Sequence, residues 1–145
     1  MNMYSSNRTD TRQTFFDVWR KLQNHEPLSA LEDIVAEIIR RHPEYQPLLA
    51  QPDKTLDRDW RPEGGETNPF LHMGLHIAIR EQLSIDRPAG VKAAYSALLK
   101  KTRDPHAAEH VMLECLAQTL WHGQRDGRLP DDQTYLACLR SRGTG

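Results

Sequence analysis

The stretch NPFLHMGLHIAIREQLSI, residues 68–85, decides the fold of this chain. Its first two residues, Asn68 and Pro69, are typical of a helix start, because Asn caps the first backbone N–H groups and Pro fits the first helical turn. Apolar side chains then follow around most of the helical wheel, a pattern typical of a buried helix. The stretch therefore predicts a central helix from Asn68 to about Ile85.

A second central helix is predicted by the same pattern further along the chain. Asp104 and Pro105 form another cap followed by proline, and Gly127 is a natural helix stop. This helix should run to about Arg125. A capping box, in which Ser29 is followed three residues later by Glu32, predicts the start of another helix.

The remaining chain completes an all-α prediction. Helices are expected at about 10–23, 88–102 and 131–140, with one or two short helices between 43 and 60 and a loop at 61–69. No segment shows the sustained alternation typical of a strand. We therefore expect a compact single-domain helical bundle of five to seven helices.

The domain boundaries follow from the same pattern. Residues 1–9 should form a flexible N-terminal segment, 10–141 the single helical domain, and 142–145 a flexible C-terminus. A chain of 145 residues is long enough to bury one sizeable core.

Composition limits the classes of partner. The formal net charge is -1, so no global field draws the chain to nucleic acid or to an anionic membrane. No stretch is long and apolar enough for a membrane span, and the N-terminus lacks the apolar core of a signal peptide. The chain is therefore expected to be soluble and cytoplasmic. Cys115 and Cys138 lie far apart among apolar residues, which favours buried free thiols over a disulfide.

Two histidine pairs carry the clearest chemical signal. His72 and His76 lie four residues apart, as do His106 and His110, and Glu114 follows the second pair at the same spacing. Residues spaced by four lie one above the other on a helix. Imidazoles and a carboxylate around one point form a donor set for Zn, Fe, Mn or Ni.

Helix connectivity supports the metal hypothesis. The connections around Arg87-Pro88 and Arg103-Asp104 are short, so successive helices should be antiparallel and the two central helices parallel. The two histidine pairs then lie at similar depths on core-facing sides of their helices. The alternative is that each histidine is a satisfied core or helix-end group. The sequence leaves both interpretations open.

The stretch from His106 to His110 also matches H-x-x-E-H, a zinc peptidase pattern. Such enzymes are much larger, and Glu109 lies about 100° from His110 on the helical wheel. We take this match as chance. No complete catalytic motif is present, so the sequence leaves open whether the protein is an enzyme.

Four segments carry a resemblance to a known family. They are HPEY (42–45), the stretch 65–88, the H-x-x-x-H-x-x-x-E run with Cys115-Leu116 (106–116), and WHGQRDG (121–127). In these the chain resembles the bacterial DUF1841 family, whose label is a domain of unknown function. The resemblance implies a soluble, cytoplasmic, single-domain helical protein and carries over no catalytic residues. A weaker likeness to hemerythrins and di-iron helical proteins lacks their full ligand series.

Two functions are therefore expected from different classes. The first is a non-enzymatic binding or adaptor module that acts through an unknown protein partner or through self-association. Its candidate surface is the apolar side of the last helix, with Tyr135, Leu136, Cys138 and Leu139. The alternative is a metalloprotein that binds one transition metal through His72, His76, His106, His110 and Glu114.

Overall fold

The computed structural model describes residues 8–56, 58, 60 and 68–144, and these ranges are helical without a strand. The all-α prediction is confirmed. The described ranges contain eight α-helices, more than the predicted five to seven, because the proline-rich segment after α2 forms separate short turns. The elements are α1 (Arg8–Gln23), α2 (Ala30–Arg40), a 3-10 turn (Pro43–Tyr45), α3 (Gln46–Leu49), α4 (Pro52–Thr55), α5 (Pro69–Ile85), α6 (Val91–Thr102), α7 (Pro105–Asp126) and α8 (Asp132–Gly143).

Two predictions fall on other parts of the chain. The loop expected at 61–69 lies outside the described residues up to 67, as does the N-terminal segment up to residue 7. Within the described ranges, no helix has the length and apolar character needed to cross a membrane.

Helix starts follow the caps predicted from sequence. The Ser29 hydroxyl accepts from the Glu32 N–H, and a Glu32 carboxylate oxygen accepts from the Ser29 N–H at 2.9 Å, which completes the capping box. The Asn68 side-chain oxygen accepts from the Phe70 N–H at 3.0 Å. These bonds satisfy N–H groups that have no partner inside their helices.

The helix ends in the second half of the chain agree with the predicted ends only in part. Asp104 caps α7, and Gly127 ends it in the left-handed conformation at φ 66°. The helix predicted from Pro88 begins later, at Val91, because Gly90 at φ 101° turns the chain just before it. The last helix extends to Gly143, beyond the predicted end at Arg140.

The chain divides into two compact units, Met1–Ile77 and Ala78–Gly145. The single-domain organisation stays a prediction. In the first unit, one apolar core joins α1, α2 and the beginning of α5. Its buried members include Phe15, Phe16, Val18, Val35, Ile38, Ile39, Leu49, Phe70, Met73 and Ile77.

A buried arginine fixes the segment after α4 in the first unit. Arg12 on α1 is 2% exposed, and its guanidinium lies 5.1 Å from the Trp60 ring centroid and 4.9 Å from that of Phe70. Its Nη1 donates to backbone carbonyl oxygens of three residues, Thr55, Leu56 and Arg58. The arginine therefore holds irregular backbone against a helix through both hydrogen bonds and ring contacts.

The second unit contains α6, α7 and α8. The apolar side of α8 faces its core, with Tyr135, Leu136 and Leu139 all at 2% exposure or less. The candidate adaptor surface predicted on these residues is therefore wrong. A short helix at a chain end is stabilised mainly by burying its apolar face, and α8 does so within its own unit.

The expectation of free thiols is also wrong. Cys115 on α7 and Cys138 on α8 form a disulfide, with their Cα atoms 5.8 Å apart. The two helices are joined by the short segment 127–131 and pack side by side, so residues distant in sequence become neighbours. The sequence separation of the two cysteines does not show that their helices pack together.

Trp121 lies on the exposed side of α7. Its side chain is 56% exposed, and the Arg125 guanidinium lies 5.0 Å from its ring centroid. Trp19 on α1, in contrast, packs partly buried against the core of the first unit.

Candidate metal centre

Three histidines converge in the first unit. His72 and His76 lie on successive turns of α5, as the i, i+4 spacing predicts. His42 follows the end of α2, where the chain leaves the helix because the next residue is Pro43. This turn buries His42 to 4% exposure, and His76 is 1% exposed.

The three imidazole rings form a nearly equilateral triangle. Ring centroids are 5.0 Å apart for His42 and His72, 4.8 Å for His42 and His76, and 4.9 Å for His72 and His76. The ring planes are inclined to one another by 57° to 77°. Three imidazoles on one tetrahedral zinc ion, with Zn–N bonds of about 2.0–2.1 Å, would have centroids about 5 Å apart.

The ring nitrogens are close enough to share an ion. The Nε2 atoms of His72 and His76 lie 3.3 Å apart. Two nitrogens on a tetrahedral zinc ion are separated by about 3.4 Å, so this pair already has the required spacing. One nitrogen from each of the three histidines lies within 4.8 Å of the others. Small side-chain rotations would therefore complete a common site.

A backbone carbonyl orients His42. Its Nδ1 lies 2.7 Å from the carbonyl oxygen of Ile38, which can only accept, so Nδ1 carries the proton. In the neutral ring the Nε2 atom then holds the lone pair. This is the arrangement found at metal sites, where a ligating histidine donates its other N–H to a carbonyl or carboxylate. The same contact caps the C-terminal end of α2.

Tyr45 forms one wall of the histidine cluster. Its ring stacks on His42 with an interplanar angle of 6° and a centroid distance of 5.5 Å. Its centroid lies 6.0 Å from that of His72 in an edge-on contact. Burial raises the pKa of the Tyr45 phenol, with a smaller contribution from the nearby Glu44 carboxylate. Tyr45 therefore stays neutral and supplies an apolar side to the cluster.

A profile of the family described as "Domain of unknown function (DUF1841)" matches residues 7–141. The chain belongs to this family. No curated protein and no solved structure matches it. The DUF1841 description assigns no activity, so the functional argument rests on the geometry of the site.

The other predicted ligands of this DUF1841 protein lie in the second unit. The rings of His106 and His110 are 4.2 Å apart, and His110 Nδ1 lies 3.0 Å from the carbonyl oxygen of His106. Like His42, His110 thus keeps its lone pair on Nε2. The Glu114 carboxylate is 59% exposed and bonds to Nη1 of Arg142 at 2.8 Å.

Glu109, the glutamate of the H-x-x-E-H match, has a structural role. Both of its carboxylate oxygens lie 3.1 Å from Nε of Arg80, and its side chain is 6% exposed. Arg80 interrupts the apolar run of α5. The glutamate of this DUF1841 protein therefore balances a charge on α5, and the peptidase pattern needs no catalytic explanation.

Proposed function

We propose that this DUF1841 protein binds one transition-metal ion, zinc foremost, through His42, His72 and His76. The observation that carries the proposal is the near-equilateral arrangement of three imidazoles with one nitrogen pair at 3.3 Å. Two of the three were predicted ligands. His42 is an addition that the sequence analysis did not propose as a ligand.

The donor set favours zinc within the predicted group of metals. Imidazole nitrogen suits Zn, Cu, Fe and Ni, whereas Mn prefers carboxylate and water oxygens. None of the three proposed ligands is a carboxylate. Manganese is therefore the least suited of the four metals named from the sequence.

The fourth coordination position decides what chemistry the metal can perform. Three protein ligands with a bound water form a reactive site, whereas four protein ligands form a closed structural one. The sequence predicts His110 as a further ligand, on the argument of parallel central helices, and this stays a prediction. We leave His106 and Glu114 out of the proposed set.

The metal would in either case link separate elements of the first unit. His42 belongs to the turn after α2, and the other two ligands belong to α5. An ion that binds only the folded arrangement stabilises it by about 2.7 kcal/mol at a free concentration one hundred times its dissociation constant. Stabilisation of the contact between α2 and α5 is therefore the minimal function of the site.

Direct metal binding tests the proposal. Protein without a histidine tag is purified without chelator, analysed for bound metal, stripped, and titrated with zinc against a competing indicator. We expect one zinc ion per chain. Removal of an orienting neighbour of a metal ligand already costs about 10–100-fold in affinity, so His42→Ala and His76→Ala should each cost at least about 100-fold.

His122→Ala is the matched control, because His122 is an exposed helical histidine outside the cluster. It should bind zinc as the unchanged protein does. His110→Ala separates the two forms of the fourth position, because a loss similar to that of His76→Ala means a closed site. The proposal fails if the unchanged protein takes up no stoichiometric zinc, or if His42→Ala and His76→Ala bind as His122→Ala does.

The adaptor hypothesis now has no assigned surface, since its candidate residues are buried or disulfide-bonded. The bacterial origin of the protein and its cytoplasmic location also stay proposals, and the family resemblance supports both. The disulfide between Cys115 and Cys138 bears on this point. Stable disulfides are rare in the cytosol, where those that occur are usually transient, catalytic or redox-sensing.

A further inference from the structure

The disulfide joins the middles of two helices in the second unit. Cys138 lies near the middle of α8 (Asp132–Gly143), the last helix of the chain, and Cys115 lies in the centre of α7. The bond therefore joins the two helices at mid-length, where it opposes any separation of α8 from α7.

The two sulfur atoms differ in access. Cys115 is fully buried, whereas Cys138 is partly exposed. A thiolate from a reducing agent can therefore approach the sulfur of Cys138, and the buried sulfur of Cys115 is the leaving group. Labile disulfides are those that an attacking thiol can reach.

The unit has an apolar core apart from this bond. Val91 and Leu98 of α6 and Met112 of α7 are each 1% exposed or less, so these two helices share a buried interior. Such a core can hold α6 and α7 folded after reduction of the disulfide. The other links of α8 are non-covalent: its buried apolar side, the hydrogen bond from the Tyr135 hydroxyl to Oε1 of Gln82 at 2.7 Å, and the hydrogen bonds from Nζ of Lys101 to the carbonyl oxygens of Arg142 and Thr144. The pair between Arg142 and Glu114 is largely exposed and adds little.

We infer that the Cys115–Cys138 disulfide is a reversible redox clasp that controls the opening of α8. A dithiol attacks Cys138 and forms a mixed disulfide, and the released Cys115 thiolate takes up a proton. The second thiol of the reductant then displaces Cys138, so the reductant becomes a disulfide and both cysteines become thiols. Reduction lets α8 open and expose Tyr135, Leu136 and Leu139. Exchange with a small-molecule disulfide, which is itself reduced to two thiols, re-forms the bond and closes α8.

Hydrogen–deuterium exchange of the full-length protein tests the clasp. Exchange is followed by mass spectrometry in the oxidised protein and after treatment with dithiothreitol. Removal of a cross-link that closes a loop of this size releases chain entropy, so amides of 132–143 should exchange at least about tenfold faster after reduction. Amides of α6 should change much less, and reoxidation should restore the slow exchange.

Thiol labelling provides a second readout. After reduction, iodoacetamide should modify the buried Cys115 at a rate that follows the opening of α8. Cys138→Ser is the control, because dithiothreitol should no longer alter its exchange.

Three results would overturn the inference. The first is equal exchange of α8 in the oxidised and reduced protein. The second is a collapse of α6, α7 and α8 together on reduction, which would make the bond a permanent staple. The third is a protein that keeps two free thiols under an oxidant. The comparison of oxidised and reduced unchanged protein decides the matter even if Cys138→Ser does not fold.

Discussion

Removal of the Arg80 side chain should destabilise the second unit strongly. Arg80→Ala leaves the carboxylate of Glu109 at 6% exposure without the guanidinium that lies 3.1 Å from both of its oxygens. A buried charge that loses its partner keeps its desolvation cost and loses the compensating attraction. The loss should therefore appear in the free energy of unfolding.

The magnitude follows from the burial of the two partners. Breaking a fully buried ion pair costs about 3–5 kcal/mol, and the 25% exposure of Arg80 reduces this through solvent screening. We expect Arg80→Ala to lower the free energy of unfolding by about 2–3 kcal/mol. The double variant Arg80→Ala/Glu109→Ala removes the Glu109 carboxylate as well. Its loss of stability should therefore be smaller than the sum of the two single losses by at least about 1 kcal/mol.

Urea unfolding followed by far-UV circular dichroism measures these differences, provided that the slope with denaturant stays constant. Arg142→Ala is the matched control, because its pair with Glu114 in the same unit is 39% and 59% exposed. Exposed pairs contribute less than about 1 kcal/mol, so this variant should unfold close to the unchanged protein.

One result would refute the reasoning. If Arg80→Ala and Arg142→Ala lower the free energy of unfolding equally, the Glu109 carboxylate is not desolvated. A strictly additive double variant would lead to the same conclusion, since the two side chains would then be energetically independent.

Two further substitutions test the packing around one glycine and the pH dependence of the melting temperature. A glycine-to-alanine change in an ordinary exposed helix stabilises it by about 1 kcal/mol. Gly123→Ala should instead lower the free energy of unfolding by about 1–3 kcal/mol in thermal unfolding, because the added Cβ would lie 2.8 Å from the carbonyl oxygen of Arg128. A stabilised variant would contradict this contact. Hydrogen bonds from the Lys21 side chain and the Ser29 backbone lower the pKa of Glu32 below the ordinary value of a glutamate. A lowered folded-state pKa contributes stability above the ordinary pKa of a glutamate, and this stability is lost as the pH falls through the folded value. Lys21→Ala removes the largest cause of the shift, so it should weaken the fall in melting temperature between neutral and acid pH. An unchanged pH profile would count against the hydrogen bond from Lys21 to Glu32.

The elements predicted correctly are those encoded by neighbouring residues. Ser29 with Glu32, Asn68 with Pro69, and Asp104 with Pro105 each start a helix through contacts within one turn. The spacing of His72 and His76 likewise placed both side chains on one face of α5. Local chemistry of this kind can be read from a sequence because no distant part of the chain is needed.

Features that depend on the packing of distant segments were missed. His42 precedes His72 by a long stretch of chain, and Pro43 signals a turn without showing where the turn faces. The buried position of His42 and its approach to His72 and His76 appear only when α2 packs beside α5. The bond between Cys115 and Cys138 was missed for the same reason, since it requires the packing of α8 on α7.

The buried Arg12 has a consequence for reading other members of the family. Its hydrogen-bond acceptors are the backbone carbonyls of Thr55, Leu56 and Arg58, and every amino acid provides such a group. Evolution can therefore exchange the side chains at positions 56 and 58 without loss of these bonds. Lysine at position 12 would lack the flat guanidinium that lies over Trp60 and Phe70. An alignment of the family should thus show an invariant arginine at position 12 beside a variable segment that it holds in place.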